Sequence, residues 1–301
     1  MANTFGDKWS FTSFGESHGA AIGGVLDGVP AGIAIDLELI RQELDRRAGR
    51  KQTGVSSRAL REPDEVEWLS GVLDGLTLGT PIAFIIRNKD ARPEDYEWLK
   101  QTYRVGHADK VYEQKYGIRD WRGGGRASAR ETAARVVAGG IAKQELASKG
   151  VSIEAHLIQV GAETNPEKFA EVITGYQREG DSIGGIIECR ITGLPAGVGE
   201  PIFDKLQAHL AYAVMSINAC KGFEYGTGFC GVTQPGSAIN HISGGIAGGI
   251  SDGSELIFRC VFKPTPSTPK AGVRGRHDAC VAVRAVPVVE AMTALALVQF
   301  L

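Results

Sequence analysis

Glycine is the feature of this sequence that most constrains its fold. The chain has 301 residues, of which 40 are glycine, about twice the usual share of about 7%. Many of them stand in pairs or triplets, at 23–24, 123–125, 139–140, 184–185, 244–245 and 248–249. Because glycine lets the backbone approach a ligand or another segment closely, we expect tightly packed elements and several ligand-contacting turns.

Hydrophobic patterning predicts strands and helices in no regular β-α-β order. Strands are expected where apolar and β-branched residues alternate or run together, over 21–29, 31–35, 79–88, 184–195 and 255–264. Four helices are expected, from Asp36 to near Arg47, over 128–149 behind a Ser128–Glu131 capping box, from Pro201 to near Met215, and from Pro287 onward. No repeat or linker interrupts the chain, so we expect one domain over residues 1–301, of the α+β class with largely antiparallel sheets.

The composition excludes several classes of protein and partner. The net charge of −2 argues against a nucleic-acid partner. The N-terminus has no signal-peptide pattern, and the apolar stretch over 281–301 is interrupted by Arg284, Pro287 and Glu290, so no membrane association is expected. Five cysteines without a C-x-x-C pair favour the reducing cytoplasm and predict no metal site.

The segment Gly15-Glu16-Ser17-His18-Gly19 matches the G-x-S-x-G pattern of a serine hydrolase. That motif requires a strand, a sharp turn and then a helix. The residues that follow, 20–32, contain four glycines and a proline and make a poor helix. We therefore reject Ser17 as a nucleophile, which leaves His18 as the candidate active residue of this segment.

The segment 120–140 is the clearest candidate for anion binding. Three glycines lead into the expected helix, with Arg122, Arg126 and Arg130 around its start. Backbone N–H groups at a helix N-terminus, together with guanidinium groups, favour phosphate or carboxylate. The alternative is a plain helix cap surrounded by surface arginines.

Two further segments combine histidine with cations. His107 stands beside Arg104, which suits an acid acting on an anionic leaving group. Arg276, His277 and Asp278 are consecutive, which suits substrate binding with a base nearby, although a local ion pair is equally allowed. A third basic run, over 41–61, is open to the interpretation of a solvated surface.

Five motifs together resemble the chorismate synthase family. They are FGESHG near the start, RGGGRASARET in the middle, and the segments 215–222, 244–251 and 275–287. The resemblance runs in order over nearly the whole chain. It implies a β-α-β sandwich, with long helices between two largely antiparallel sheets, assembled as a homotetramer.

The resemblance also implies a reaction. Members of this family convert 5-enolpyruvylshikimate 3-phosphate to chorismate, in the shikimate pathway of aromatic amino acid biosynthesis. The step is a trans-1,4 elimination of phosphate that requires reduced FMN without net redox change. Some members reduce their flavin with NADPH, which would serve as a reductant only.

The family's functional residues map onto this sequence by motif. His18 would lie beside the flavin and keep it correctly protonated, His107 would act as general acid near the departing phosphate, and Asp278 would lie near flavin N5 and help to accept the ring proton. The flavin would contact Arg126, Ala127, Ser128, Asn218, Ala219, Gly248, Lys263, Pro264, Thr265, Pro266, Ser267 and Arg276. The substrate's phosphate and carboxylates would be held by Arg47, Arg50, Arg104, Arg130 and Arg276.

This sequence departs from the family pattern in its basic segment and in its length, and it has Val105 where the family has proline and Lys110 where an aromatic residue is common. The basic segment reads Arg46-Arg47-Ala48-Gly49-Arg50 where the family has R-R-R-P-G, which leaves open whether Arg50 or Arg58 meets the substrate. The chain is also shorter than the family over 159–181, 236–244 and 263–276. Either these loops are deleted, or mobile residues are missing from the sequence, in which case we expect chain breaks at these points.

Two rival functions follow from the same features. A flavin enzyme on the same scaffold could use NADPH for redox chemistry of its own, and NADPH consumption without added reductant would reveal it. A nucleic-acid binder could use the arginine runs, but the acidic balance and the lack of interleaved aromatic residues argue against it.

Overall fold

The computed structural model describes residues 3–237, 243–273 and 276–301. The strands in these ranges are β1 (Thr4–Phe5), β2 (Ser10–Phe14), β3 (Ala21–Asp27), β4 (Val66–Ser70), β5 (Val72–Leu73), β6 (Leu76–Thr77), β7 (Ile82–Arg87), β8 (Ser152–Val160), β9 (Gly185–Thr192), β10 (Cys220–Tyr225), β11 (Ile246–Ala247), β12 (Ile250–Ser251) and β13 (Leu256–Phe262). The α-helices are α1 (Leu37–Ala48), α2 (Ser57–Arg61), α3 (Asp109–Tyr116), α4 (Thr132–Ser148), α5 (Phe169–Arg178), α6 (Leu206–Met215) and α7 (Ala282–Leu297).

Two antiparallel sheets form the outer layers of the structure. The first has the strand order β1-β2-β3-β7-β4, and the second has the order β10-β13-β9-β8. The pairs β5–β6 and β11–β12 are small separate hairpins. Every described pairing between named strands is antiparallel, as the sequence predicted.

Helices α4 and α7 pack against each other between the sheets. Helix α4 contacts β2 and β3 of the first sheet, and α7 contacts β8 and β9 of the second. Both helices are therefore covered on both faces, which explains why α7 is apolar around most of its circumference. The α+β class and the β-α-β sandwich implied by the resemblance are confirmed.

Two of the glycine pairs allow close packing in these layers. A Cβ atom added to Gly139 of α4 would lie 2.3 Å from the Cβ atom of Ala291 in α7, so glycine sets the separation of the central helices. In β3, a Cβ atom on Gly24 would lie 2.4 Å from the ring of Phe11 on the adjacent strand β2. The Phe11 ring covers β3 where glycine leaves room.

Three expected elements differ from the observed ones. The expected strand at 31–35 is reduced to a single bridge between Ala34 and Leu76. The helix expected from Pro201 begins only at Leu206. The last helix begins at Ala282, so that Pro287 lies inside it rather than at its start. Arg284 at this earlier start donates hydrogen bonds to Asp278 and to the Arg47 carbonyl, contacts that no local pattern reveals.

The expected capping box at Ser128 is wrong in its detail. Ser128 accepts a hydrogen bond from the Arg130 amide and caps a short 3-10 turn over Ala129–Glu131, after which α4 begins at Thr132. Glu131 forms an ion pair with Arg135 at 2.8 Å. The amides of 127 and 128 donate to the carbonyls of Gly124 and Gly125, and those of 130 and 131 donate to Ser128, so these amides are not free for an anion.

The expected chain breaks are absent from the first of the three short regions. Residues 159–181 run continuously from β8 through a turn, in which the Val160 amide donates to the Glu163 carbonyl at 2.9 Å, into α5. In the other two regions, residues 238–242 and 274–275 lie outside the described residues.

A buried carboxylate joins the central helices to the second sheet. Glu290 of α7 accepts hydrogen bonds from Arg46 at 2.8 Å, from Lys143 at 2.6 Å and from the Ala155 amide of β8 at 3.0 Å. Burial raises the pKa of Glu290, but the hydrogen bond from Arg46 and the charge of Lys143 outweigh it and hold the pKa below its ordinary value. Glu290 is therefore ionised and paired at neutral pH.

We expect Glu290→Gln to lower the free energy of unfolding by about 3 kcal/mol, because it breaks a buried ion-pair network on one side. Urea denaturation at pH 7 measures this loss. Glu67→Gln, which removes an exposed partner of Arg87, is the control and should cost less than about 1 kcal/mol. Equal losses in the two variants would contradict the assigned role of Glu290.

Candidate active site

All but three of the site residues named from the sequence line one cavity of 430 Å³. They come from loops and element ends that are far apart along the chain. The residues that the fold brings together are His18, Arg47, Arg104, His107, Ala127, Ser128, Arg130, Asn218, Ala219, Lys263, Pro264, Thr265, Pro266, Ser267, Arg276 and Asp278. The cavity is open to solvent on one side, so a small molecule can enter it.

Three of the named residues do not line this cavity. Arg126 donates to the Gly15 carbonyl at 3.1 Å and faces an adjoining cavity of 540 Å³. Arg50 pairs with Asp45 and donates to the Glu62 carbonyl at 2.9 Å. Gly248 lies in the turn between β11 and β12.

Of the two arginines that the sequence left open, Arg58 and not Arg50 lines the cavity. It projects from α2 into the cavity, whereas Arg50 lies beyond the C-cap of α1 and outside it. Arg58 donates to the Ser17 carbonyl at 2.6 Å and to the Glu62 carboxylate at 3.3 Å. Sequence reasoning named Arg58 only as an alternative, because the spacing after Arg47 departs from the family pattern.

His18 is held by the turn between β2 and β3. Asn88 donates to the carbonyls of Glu16 and Gly19 and so fixes the turn. The Ser17 hydroxyl lies 3.0 Å from His18 Nδ1. Strand β3 begins at Ala21 directly after the turn, so the strand–turn–helix that a hydrolase motif requires is not formed.

The backbone of Gly123 packs closely against the ring of His18. Gly123 has a φ of 94°, and a Cβ atom added to it would lie 2.2 Å from His18 Nδ1. The Tyr96 ring packs edge-on against the imidazole, with ring centroids 4.7 Å apart. The glycine triplet at 123–125 therefore sets the position of a histidine, a role that the sequence did not suggest.

His18 lies in cationic surroundings. Arg58 Nη1 is 3.4 Å from both ring nitrogens, so the guanidinium group lies against the ring. Burial and the charges of Arg58 and Arg276 lower the pKa of His18 to about 3. The imidazole is therefore neutral at pH 7 in the unliganded chain.

His107 lies beside a carboxylate, whereas His18 lies among cations. Its Nδ1 lies 2.7 Å from Asp109 Oδ1, and Arg104 Nη2 donates to the same oxygen at 2.7 Å. Burial raises the pKa of Asp109, but hydrogen bonds from Arg104 and His107 hold it far below its ordinary value. Since Nδ1 donates to this carboxylate, Nε2 is the ring atom left for a ligand.

Every arginine that lines the cavity bonds to a carboxylate. Asp64 accepts from Arg47 and Arg130, and the other four pairs are Arg58–Glu62, Arg104–Asp109, Arg276–Asp90 and Arg284–Asp278. Among the described residues, the cavity wall carries these six arginines and Lys263 but only two carboxylates, those of Glu62 and Asp278. The wall is therefore positively charged, with part of the balancing charge behind it.

Asp278 is a buried carboxylate with two fixed partners. Its Oδ1 accepts from the Ser56 amide at 2.8 Å, and its Oδ2 accepts from Arg284 at 2.8 Å. Each oxygen keeps a further lone pair that can accept a proton or a hydrogen bond. The ion pair that the sequence left open is thus present, and Asp278 still faces the cavity.

Three polar atoms of the cavity lining lack partners among the described residues. They are Asn218 Oδ1, Ser267 Oγ and His277 Nδ1, and all three are buried. Next to Asn218, Ala219 adopts the left-handed region at a φ of 69°, which is uncommon for a non-glycine residue. Because buried polar groups normally have a partner, these atoms indicate that a polar ligand completes the site.

Comparison with known proteins places the chain in a family. A family model described as chorismate synthase matches residues 9–301. The chain belongs to the chorismate synthase family, a family of lyases. This confirms the resemblance found in the sequence motifs.

Relatives within the chorismate synthase family match the chain along its whole length. It is 46% identical to the chorismate synthase of Phocaeicola vulgatus over 353 aligned positions, which span 100% of this chain and 98% of that protein. It is also 46% identical to the enzyme of Christiangramia forsetii, over 99% of this chain and 97% of that protein. A crystal structure of a chorismate synthase superposes with a TM-score of 0.78 at 30% identity, covering 98% of this chain and 92% of that one.

The relatives are longer than this chain. The alignment with the P. vulgatus protein is longer than this chain, 353 positions against 301 residues, so the relative has residues with no counterpart here.

In the described part of the chain, no helix has both the length and the apolar character needed to cross a bilayer.

We expect His18 to stay neutral as the pH falls from 7 to about 4, because its folded-state pKa is lowered to about 3. The unfolded chain takes up this proton near its ordinary pKa of about 6.5, so the folded state loses stability across this window. Histidine NMR titration measures the first effect, and urea denaturation of wild type and His18→Gln measures the second. A His18 midpoint at or above 6.5, or equal pH dependence in the two proteins, would contradict this account.

Proposed function

We propose that this protein converts 5-enolpyruvylshikimate 3-phosphate to chorismate by trans-1,4 elimination of phosphate, with reduced FMN as cofactor. Membership of the chorismate synthase family supports the reaction. The observation that carries the proposal is one cationic cavity in which residues from the family's separate motifs meet. We further propose one domain over 1–301, assembly as a homotetramer and a cytoplasmic location.

The arginines of the cavity suit a substrate with several negative charges. Arg47, Arg104, Arg130 and Arg276 are the residues that we propose to hold its phosphate and carboxylates, together with Arg58 in place of Arg50. All five line the cavity and are fixed by carboxylates behind or beside them. Cations held in this way stabilise the charge that builds on departing phosphate without having to reorganise.

The cavity also suits FMN. The unpartnered Asn218 Oδ1, Ser267 Oγ and His277 Nδ1 offer hydrogen bonds to a polar planar group. We propose that Asn218, Ala219, Ala127 and Ser128 contact the flavin ring system, and that Lys263, Pro264, Thr265, Pro266 and Ser267 after β13 contact the rest of the cofactor, with Arg276. When bound, reduced FMN supplies the electron-rich partner for the elimination.

Two of the predicted flavin contacts need a different explanation. Arg126 and Gly248 do not line the cavity of their own chain. A contact from Gly248 to flavin would therefore have to come from a second subunit, in keeping with the proposed homotetramer. Arg126 supports the site from behind, because its bonds to the Gly15 and Ser13 carbonyls hold the turn that carries His18.

The two histidines differ in what they can do with a proton. Asp109 holds Nδ1 of His107 and leaves Nε2 for a ligand, so we propose His107 as the acid toward the departing phosphate. His18 has its pKa lowered to about 3 by burial and by the charges of Arg58 and Arg276. Anions bound beside Arg58 and Arg276 would raise its pKa, which suits a group that adjusts the protonation of bound flavin.

Asp278 is the candidate partner for the ring proton. It accepts hydrogen bonds from Arg284 and the Ser56 amide, and it faces the cavity. The ion pair fixes its position without occupying all of its lone pairs. We propose that it lies near flavin N5 and helps to accept the proton that leaves the substrate ring.

We expect wild-type protein to form chorismate from 5-enolpyruvylshikimate 3-phosphate anaerobically with chemically reduced FMN. His18→Ala and His107→Ala should each lower kcat by about tenfold or more, because an acid–base group is lost. The exposed His156 on β8 gives the control, and His156→Ala should match wild type. Product formation at the wild-type rate in both histidine variants would contradict their roles, and no product from folded, FMN-loaded wild type would contradict the proposed reaction.

The same assay distinguishes two uses of NADPH, as a reductant of the flavin and as a substrate of a separate redox reaction. If the protein reduces its own flavin, NADPH replaces the chemical reductant and product forms in proportion to substrate rather than to NADPH. NADPH consumed stoichiometrically with another product would instead favour the rival redox function.

A further inference from the structure

Asp64 has a position in the cavity wall that no sequence motif assigned. It lies between α2 and β4, directly behind the wall, and it is buried. Its Oδ2 accepts from Arg47 Nη1 at 3.1 Å, and its Oδ1 accepts from Arg130 Nη1. One carboxylate thus joins an arginine from the end of α1 to an arginine from the turn before α4.

Asp64 is the shared counter-charge of these two arginines. Each of them forms its one described salt bridge with this carboxylate. Burial and the charge of Arg284 lower the pKa of Arg47, and the charge of Arg130 lowers it further, because these guanidinium groups repel each other. Burial raises the pKa of Asp64, but the charges of Arg130 and Arg47 outweigh it and keep the carboxylate ionised.

The other donors of the two arginines are fixed by neutral groups. Arg47 donates from Nε to the Thr132 hydroxyl at 3.1 Å and from Nη2 to the Ala129 carbonyl at 2.8 Å. Arg130 donates from Nε to Asn88 Oδ1 at 2.9 Å. These bonds orient each guanidinium group, but Asp64 alone connects the two within the described structure.

The backbone at Asp64 supports a specialised role. Its φ of 54° lies in the left-handed region, which costs energy for a residue with a Cβ atom. Strained conformations of this kind persist where the surroundings determine them, and they cluster at functional sites. Here the conformation directs the carboxylate of Asp64 between the two arginines.

We propose that Asp64 is a positioning residue that holds Arg47 and Arg130 at a fixed separation, as one binding unit for an anionic group of the ligand. The inference rests on the proposed function, because it assumes that these arginines bind the substrate. Asp64 does not itself contact the ligand, and it does not line the cavity. Its loss should therefore weaken anion binding through the two arginines.

Two substitutions distinguish the position of the Asp64 carboxylate from its charge. Asp64→Asn removes the charge and keeps the shape, and asparagine tolerates the left-handed region. Asp64→Glu keeps the charge but moves it by one methylene group. Sulfate is the probe, with its dissociation constant taken from the sulfate-dependent rise of Tm, and KM and kcat are measured for the phosphorylated substrate with reduced FMN.

We expect both variants to weaken sulfate binding and to raise KM by about tenfold or more, since a misplaced binding group costs at least this much. The effect on kcat should be smaller, because the interaction is made in the ground state as well. Asp74→Asn is the matched control. It is the same substitution at an exposed, left-handed residue with a φ of 49° in the β5–β6 turn, and it should match wild type.

A further variant controls for a loss of stability that does not act through the arginines. Glu290→Gln breaks a buried ion-pair network away from the cavity and should lower Tm without changing sulfate affinity. If Asp64→Asn does not fold, the sulfate affinity of Asp64→Glu tests the inference. Because Asp64→Glu keeps the charge, only a positioning role of Asp64 makes this variant lose sulfate affinity. Wild-type sulfate affinity and KM in Asp64→Glu would overturn the inference.

Arginine variants distinguish this inference from the proposed function. If Arg47→Ala and Arg130→Ala lose sulfate affinity while both Asp64 variants keep it, the inference alone is overturned. If the arginine variants also keep wild-type affinity and KM, these arginines do not bind the substrate, and this part of the proposed function falls together with the inference.

Discussion

The ion pairs between the arginines of the cavity and the carboxylates beside them determine the arrangement of the rest of the site. Six arginines converge on one small volume, and each would repel the others if it were not paired. Asp64, Asp90 and Asp109 lie behind the wall and supply the balancing charge without filling the cavity. An anionic ligand therefore binds cations that are already fixed in place. The free-energy cost of removing these cations from water is offset by their ion pairs in the folded chain.

The sandwich is what allows these pairs to form. Arg47 comes from the end of α1, Arg284 from the first turn of α7, and Arg130 from the turn before α4, and these three helices pack against one another. Glycine at 139 lets α4 and α7 approach closely, so the ends of these helices lie near one another beside the cavity. The electrostatics of the site thus depend on helix packing at the centre of the fold.

Local signals predicted the elements that they control. The Asp36 cap, the apolar strands β7, β9 and β13, and the apolar stretch of α4 were all expected and are found. The misplaced start of α7 and the role of Asp64 depend on contacts between residues distant in sequence, such as Arg284 with the Arg47 carbonyl. The resemblance supplied most of the cavity lining, whereas the position of Arg58 rather than Arg50 in the cavity and the contact of Gly123 with His18 required the three-dimensional structure.

The central claim is that one cationic cavity binds substrate and reduced flavin together. A crystal structure of the protein with FMN and 5-enolpyruvylshikimate 3-phosphate tests it most directly. The account predicts the phosphate among the paired arginines and new ligand partners for Asn218 Oδ1, Ser267 Oγ and His277 Nδ1, with the flavin between these groups and the substrate. Both ligands bound elsewhere on the protein, with the three polar atoms still unpartnered, would contradict it.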